Sequence, residues 1–252
     1  MKGVFLGTGV SVVTKRRGSS ALLIETVRDR VLFDCGPGTA RMLQLAGYRV
    51  SILENIFLTH FHIDHVLDYA TIVSDRALTT RGHLSVFGPR GLQRHTKMLF
   101  RELFPDLARS LRCFDFLTVE EVKEGIVAQA DDWEVACAPT KHSGGIAYRM
   151  TSGGKSLLYS GDTSPCESLV ELGKGVDLAV MECSFPDSTL LTGNHLHPRS
   201  AAQLASKMGA KRLIFTHLYP ACNAMEDTIL KEAKKEFGGE VQIAEDGMRF
   251  SV

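Results

Sequence analysis

The chain has 252 residues, 44% of them hydrophobic and 23% charged, which is enough for a sizeable core in an ordinary globular protein. Its 29 Lys and Arg balance 29 Asp and Glu, so no overall field draws nucleic acid or an anionic membrane, and any phosphate recognition has to be local. No stretch approaches the roughly 18 apolar residues of a membrane span, MKGVFLGTGVS breaks too early for a signal peptide, and six scattered cysteines suggest neither disulfides nor a thiolate metal site, so a cytoplasmic chain with reduced thiols is expected.

Apolar runs rich in β-branched residues predict strands at GVFLG (3–7), ALLIET (21–26), VLFDC (31–35) and NIFLTH (55–60). Val66, Tyr69, Ala70, Val73 and Ala77 then recur at helical spacing. LSVFG (84–88) reads as a strand, followed by a helix from Gly91 through Leu92, Leu99 and Leu103. WEVACAPT (133–140), AYRMT (147–151) and SLLYSGD (156–162) are strands, the last two joined in a hairpin by Ser152, Gly153, Gly154 and Lys155. DLAVMEC (177–183) precedes a helix opened by Pro198, carried by Ala201, Leu204, Ala205 and Met208, and ended by Gly209. RLIFTH (212–217), a helix over Ile229, Leu230, Ala233 and Phe237 that stops at Gly238 and Gly239, then VQIAEDG and MRFSV complete the chain. With no linker, charge block or repeat, one α/β domain spanning 1–252, of two layers, is the simplest account.

The stretch LTHFHIDHV (58–66) carries His60, His62, Asp64 and His65 within six positions, after an apolar run. Imidazole nitrogen and carboxylate oxygen are the usual ligands of zinc and its neighbours, and packing gains nothing from histidines gathered in one loop. Alternation sets the His60 and His62 rings on one side of an extended segment, and the turn into the following helix aims Asp64 and His65 at a second point. The competing reading makes Asp64 a helix cap and leaves the histidines solvated.

The pattern THxHxDH after a strand resembles the signature of the metallo-β-lactamase superfamily. Its remaining positions are matched by His142 after WEVACAPTK, Asp162 in LLYSGDTSP and His217 at the end of RLIFTH. The resemblance implies a four-layer αββα sandwich, two β-sheets flanked by helices. It also implies two divalent metal ions, zinc or manganese, with His60, His62 and His142 on one, Asp64, His65 and His217 on the other, and Asp162 bridging. A di-iron flavin relative would carry glutamate at His62, and Cys166 is too late for the cysteine of certain lactamases. FLGTG (5–9), DCGPGT (34–39), FGPRGL (87–92), YSGDTSP (159–165) and MECSF (181–185) resemble ribonuclease Z and its close relatives more than glyoxalase II or lactamases. In GNHLHPRSAAQLA (193–205), His195 takes the place of those relatives' conserved histidine, and His197 sits where they carry a hydroxyl residue.

By that resemblance the chain is expected to be a binuclear metal-dependent hydrolase, a phosphodiesterase using a metal-bridging hydroxide, since two metals roughly 3.5 to 4 Å apart acidify a shared water. Asp64 would orient the water or take its proton, and His195 would protonate the leaving oxygen. The alternatives are a hydrolase of esters, lactones, thioesters or aryl sulfates on the same metals, and a catalytically inactive metal-binding scaffold. Nineteen residues separate His142 from Asp162, room for the hairpin and not for the tRNA-grasping arm of ribonuclease Z. Together with the zero net charge this sets tRNA aside and favours a small phosphodiester or other small-molecule ester. No membrane association is expected, and a homodimer is, by resemblance. Glu182 ends an apolar strand where it would anchor a ligand histidine or hold a loop backbone. Lys15, Arg16 and Arg17 would contact phosphate or form a solvated loop. His95 reads as core edge, His83 has no assigned role, and the glycines of GTG and DCGPG permit tight turns near the metals without forming a phosphate loop.

Overall fold

The apolar runs pair into two seven-stranded sheets laid face to face. The computed structural model describes residues 1–187 and 194–252. One sheet runs in the order β14 (Arg249–Ser251), β1 (Lys2–Gly7), β2 (Ala21–Glu25), β3 (Arg30–Phe33), β4 (Asn55–Phe57), β5 (Leu84–Gly88) and β6 (Leu117–Glu121). The other runs β13 (Glu240–Ile243), β12 (Arg212–Thr216), β11 (Leu178–Glu182), β10 (Lys155–Tyr159), β9 (Ile146–Ser152), β8 (Trp133–Pro139) and β7 (Gly125–Gln129). Each begins as an antiparallel meander, β1 to β3 or β7 to β10, and continues as parallel strands, β4 to β6 or β11 to β13. The two halves of the chain therefore share one topology. Between β9 and β10, Gly153 and Gly154 both take positive φ, as the predicted hairpin requires.

Side chains along the strands alternate between two buried surfaces. In β3, Val31 and Phe33 face the other sheet while Leu32 faces helices; in β11, Leu178 and Val180 face the other sheet while Ala179 and Met181 face helices. Helices α1 (Thr39–Leu45), α2 (Ile63–Val66), α3 (Tyr69–Leu78), α4 (Leu92–Lys97) and α5 (Pro105–Leu111) lie on the side of the first sheet. Helices α6 (Glu167–Leu172), α7 (Pro198–Met208) and α8 (Glu226–Lys234) cover the second. Three apolar layers thus separate four structural layers, and the two-layer reading is corrected in favour of the αββα sandwich. The reason is burial on both faces, which makes the strands read as continuous apolar runs.

β6 and β7 escaped prediction because most of their residues are exposed or half-exposed, and α1, α5 and α6 are too short to show a period. The helix expected over 91–103 divides into α4 and a wider π-helical turn, Met98–Leu103. Beneath the carboxyl ends of β3, β4 and β5, Phe33, Phe57 and Phe87 stand in register, with ring centroids 5.4 and 4.7 Å apart. Tyr148 packs edge-on against Phe57 from the opposite sheet and donates to the Leu58 carbonyl at 2.9 Å. This aromatic floor fixes where β4 ends. Phe57→Ala is expected to lower unfolding stability by about 3 to 5 kcal/mol, and Ile126→Ala, at a side chain 62% exposed, by less than about 0.5 kcal/mol, both read from urea unfolding midpoints.

Candidate metal centre

β4 ends at Phe57, and the chain passes through Thr59 and His60 outside any strand or helix before turning at His62 into α2. Asp64 and His65 lie on α2 itself, one turn earlier than expected, and Asp64 is not its cap. The loop after β3 braces this helix: Cys35 N donates to the His65 carbonyl at 2.7 Å, and Asp68 N to the Cys35 carbonyl at 3.0 Å. A methyl group on Gly36 would fall 2.0 Å from the Asp64 carbonyl oxygen, so only glycine permits this approach.

The seven side chains expected to bind metal converge from both halves of the molecule. His60, His62, His142 and Asp162 form one group of potential ligands, and Asp64, His65 and His217 a second. Asp162 faces both, with Oδ2 3.6 Å from His60 Nε2 and 3.8 Å from His142 Nε2, and Oδ1 3.4 Å from His65 Nε2 and 3.3 Å from His217 Nε2. His217 Nε2 also lies 3.3 Å from Asp64 Oδ2. All but His62 are buried; His62 forms the lip of a cleft of about 330 Å³ that Asp64, Asp162, His195, His217 and Tyr219 help to line.

The far sides of the rings are held. Asp34, fully buried, takes hydrogen bonds from His65 Nδ1 at 2.7 Å, Thr59 N at 2.8 Å and the Tyr159 hydroxyl at 3.0 Å. Ser184 Oγ lies 2.9 Å from His217 Nδ1, and the Asn194 carbonyl 3.0 Å from His142 Nδ1. Neither Asp34 nor Ser184 was singled out from sequence. The available signal was a carboxylate ending an apolar strand, VLFD, which a buried position tolerates only with donors around it.

His195 sits beside this cluster, its Nδ1 3.1 and 3.2 Å from the two oxygens of Glu182 and 3.9 Å from Asp162 Oδ2. Glu182 does both things expected of it. It accepts from Thr163 N and Leu196 N, and reaches His217 through Ser184. Burial pulls the His195 ring down, but the hydrogen bond and charge of Glu182 outweigh it and hold the imidazole above its ordinary value. Burial likewise opposes charge on Asp64 and Asp162, and neighbouring histidines still bring both carboxyls below the usual range. Against its own burial, His65 is raised to about 10 by Asp162, Asp34 and Asp64, whereas His60 is pushed down by burial and the surrounding rings.

Other candidates stand apart. Arg17 is buried: it binds Thr8, the Ala244 carbonyl, Asn223 and Glu226, tying the loop after β1 to the C-terminal segment. Arg16 pairs with Glu226 and Glu245, and Lys15 is exposed. The solvated-loop reading fails at Arg17 because its guanidinium supplies donors that buried acceptors need. His197 precedes α7, where Ser200 Oγ takes its amide hydrogen at 3.0 Å. His95 stacks on Phe61 with centroids 4.1 Å apart, and His83 pairs with Thr118. All six cysteines are buried and stand outside any disulfide. Gly193, at the head of the 193–205 motif, lies outside the described residues.

His60 Nε2, His65 Nε2, His217 Nε2 and Asp162 Oδ1 are buried with no hydrogen-bond partner among the described residues. Orphaned buried polar atoms are rare and costly, and nitrogens and carboxylate oxygens turned toward one another fit divalent cations. Fold and donor set together define a metal-dependent hydrolase. The chain belongs to the beta-lactamase superfamily: residues 29–218 match the model of the Beta-lactamase superfamily domain. It is 28% identical to a Ribonuclease Z of Methanothermobacter thermautotrophicus over 306 aligned residues, covering 100% of this chain and 97% of the relative. Against a Ribonuclease Z of Brevibacillus brevis the identity is 29%, over 96% and 94% of the two chains. The fold matches the metallo-beta-lactamase fold protein YhfI of Bacillus subtilis (TM-score 0.83, 23% identity, 99% and 98% covered) and the short form of human tRNase Z (TM-score 0.80, 22% identity, 100% and 99% covered).

These relatives overturn the expectation that sets tRNA aside. The segment between His142 and Asp162 is indeed a bare hairpin, and the 306-residue alignment exceeds the 252 residues of this chain. Yet neither the missing arm nor the zero net charge separates it from proteins named for ribonuclease activity. The physical reason is that the length of one inserted segment leaves the rest of the surface undescribed, and that net charge is a sum in which local excesses disappear. No helix among the described residues is long and apolar enough to cross a membrane. Asp34→Asn is expected to weaken metal binding about 10- to 100-fold with the fold retained, as measured by titration calorimetry with zinc and far-ultraviolet circular dichroism.

Proposed function

We propose that the chain is a metal-dependent phosphodiesterase acting on RNA. The observation that carries this reading is the pairing of seven clustered potential metal ligands with His195, a histidine braced by Glu182 at the wall of the same cleft. His60, His62 and His142 would hold one ion, Asp64, His65 and His217 the other, and Asp162, which faces both groups, would serve both. Imidazole and carboxylate suit zinc, with manganese second. When bound, the ions supply Lewis acidity and an acidified water for in-line attack on phosphorus.

The side chains divide the remaining work. Asp34, Ser184 and the Asn194 carbonyl orient three of the histidines, fixing which ring nitrogen each turns to the centre. Asp64, at the cleft wall, orients the attacking water or accepts its proton. Glu182 engages His195 Nδ1, which leaves Nε2 as the nitrogen that donates to the departing oxygen. A donor matters more for a ribose alkoxide than for a phenolate or a thiolate, and this favours the phosphodiester reading over aryl sulfates and thioesters.

Zinc- or manganese-reconstituted protein is expected to cleave a 3′-extended tRNA precursor, an oligoribonucleotide or both, and also bis(p-nitrophenyl) phosphate; turnover confined to a lactone or an aryl sulfate would sink the proposal. His62→Ala should lose metal and activity together. His195→Ala should keep its metal content while kcat on RNA falls about 10² to 10⁴-fold, with a smaller loss on the aryl diester, whose leaving group needs no proton.

A further inference from the structure

A second groove, of about 520 Å³, lies beside the metal centre at the carboxyl ends of β5, β6 and β8. Its floor is apolar, formed by Pro89, Val122, Pro139 and Ile146, and its rim carries Arg90 and Lys123. Both cations are exposed, and neither has an ion pair or side-chain hydrogen bond among the described residues. Glu121 also borders the groove, but its carboxylate is engaged by Gly91 N at 3.0 Å and Gln93 N at 3.1 Å at the start of α4.

Segments that line or flank the groove touch the segments of the metal centre at two points. Gly145, in its wall, donates to the His142 carbonyl at 2.6 Å, and a methyl group placed on it would lie 3.3 Å from His60 Cβ. On the other side Gly91, next to Arg90, lies against Phe61, the residue between His60 and His62, and Phe61 stacks on His95. The sequence order His60, Phe61, His62 therefore turns one side chain toward α4, next to Arg90, and its two neighbours toward the metal cluster.

We propose that this groove holds the nucleotide adjacent to the scissile bond, its base on the apolar floor and its phosphate between Arg90 and Lys123. The inference rests on the phosphodiesterase reading. An apolar floor with unpaired cations at its rim matches a nucleotide, which presents a flat face and an anionic edge. A small aryl diester has a single phosphate, taken up at the metals, and offers Arg90 and Lys123 none.

The test compares wild-type holoenzyme with Arg90→Ala/Lys123→Ala and Arg90→Glu/Lys123→Glu. A control, Lys207→Glu/Lys231→Glu, changes net charge on α7 and α8, over the other sheet. For a short oligoribonucleotide, the groove variants are expected to raise KM about tenfold or more and to flatten its dependence on salt by about 1 to 2 in slope. Their kcat/KM for bis(p-nitrophenyl) phosphate stays at the wild-type value, as do both parameters of the control. An unchanged KM in the groove variants, or an equal rise in the control, overturns the subsite. If the wild type cleaves no phosphodiester, the catalytic reading fails; fluorescence anisotropy of the labelled oligoribonucleotide in EDTA then decides the groove separately, and equal affinity of wild type and groove variants overturns it.

Discussion

The carboxylate of Asp34 is the contact on which the arrangement of the centre depends. It lies fully buried just past β3, where an unpaired charge would be prohibitive. Its donors come from the segment just past β4 (Thr59), from α2 (His65) and from β10 of the opposite sheet (Tyr159). Satisfying one buried anion therefore fixes the histidine motif against both sheets at once. The backbone yields to this demand: Asp34 takes φ +57°, a left-handed conformation uncommon for a residue other than glycine.

The duplicated topology explains how side chains more than 150 positions apart meet. In each half, parallel strands release the chain at their carboxyl ends, the position where ligands gather in α/β sheets. The first half contributes the local cluster after β4. The second contributes its candidate ligands singly, from just after β8, β10 and β12, and adds Glu182 at the end of β11. The second set can afford dispersion because Ser184, Asn194 and Glu182 hold its rings from behind. The stacked phenylalanines below β3, β4 and β5 make that platform stiff.

Much of this was legible in the sequence for a reason visible in the packing. Strands buried on both faces announce themselves as unbroken apolar runs, so all but β6 and β7 were found. Those two lie toward one end of the sandwich and keep much of their surface in water. The candidate ligands, which the fold brings together, were legible because four of them crowd one loop and the rest match a known pattern in order. Asp34 and Ser184 carry no such local signal, since an acid or hydroxyl after a strand is common and its partner is distant in sequence. Arg17 was misjudged for the same reason: a tight basic run reads as solvated until the buried acceptors around it are known.

The substrate question turns on how charge is counted. The formal balance treats Asp34, Asp64, Asp162 and Glu182 as surface-equivalent anions, although all four are buried around the centre. Two divalent ions would offset four negative charges there, so a loaded protein is more cationic than its sequence suggests. Elsewhere many cations are already matched: Arg16 and Arg17 by Glu226, Arg30 by Glu25, Arg199 by Glu236, and Lys211 by Asp177. What an approaching polyanion meets is the remainder, and that remainder includes Arg90 and Lys123 beside the cleft. A neutral total is therefore compatible with recognition of RNA, provided the unpaired charge is placed where the phosphates must pass.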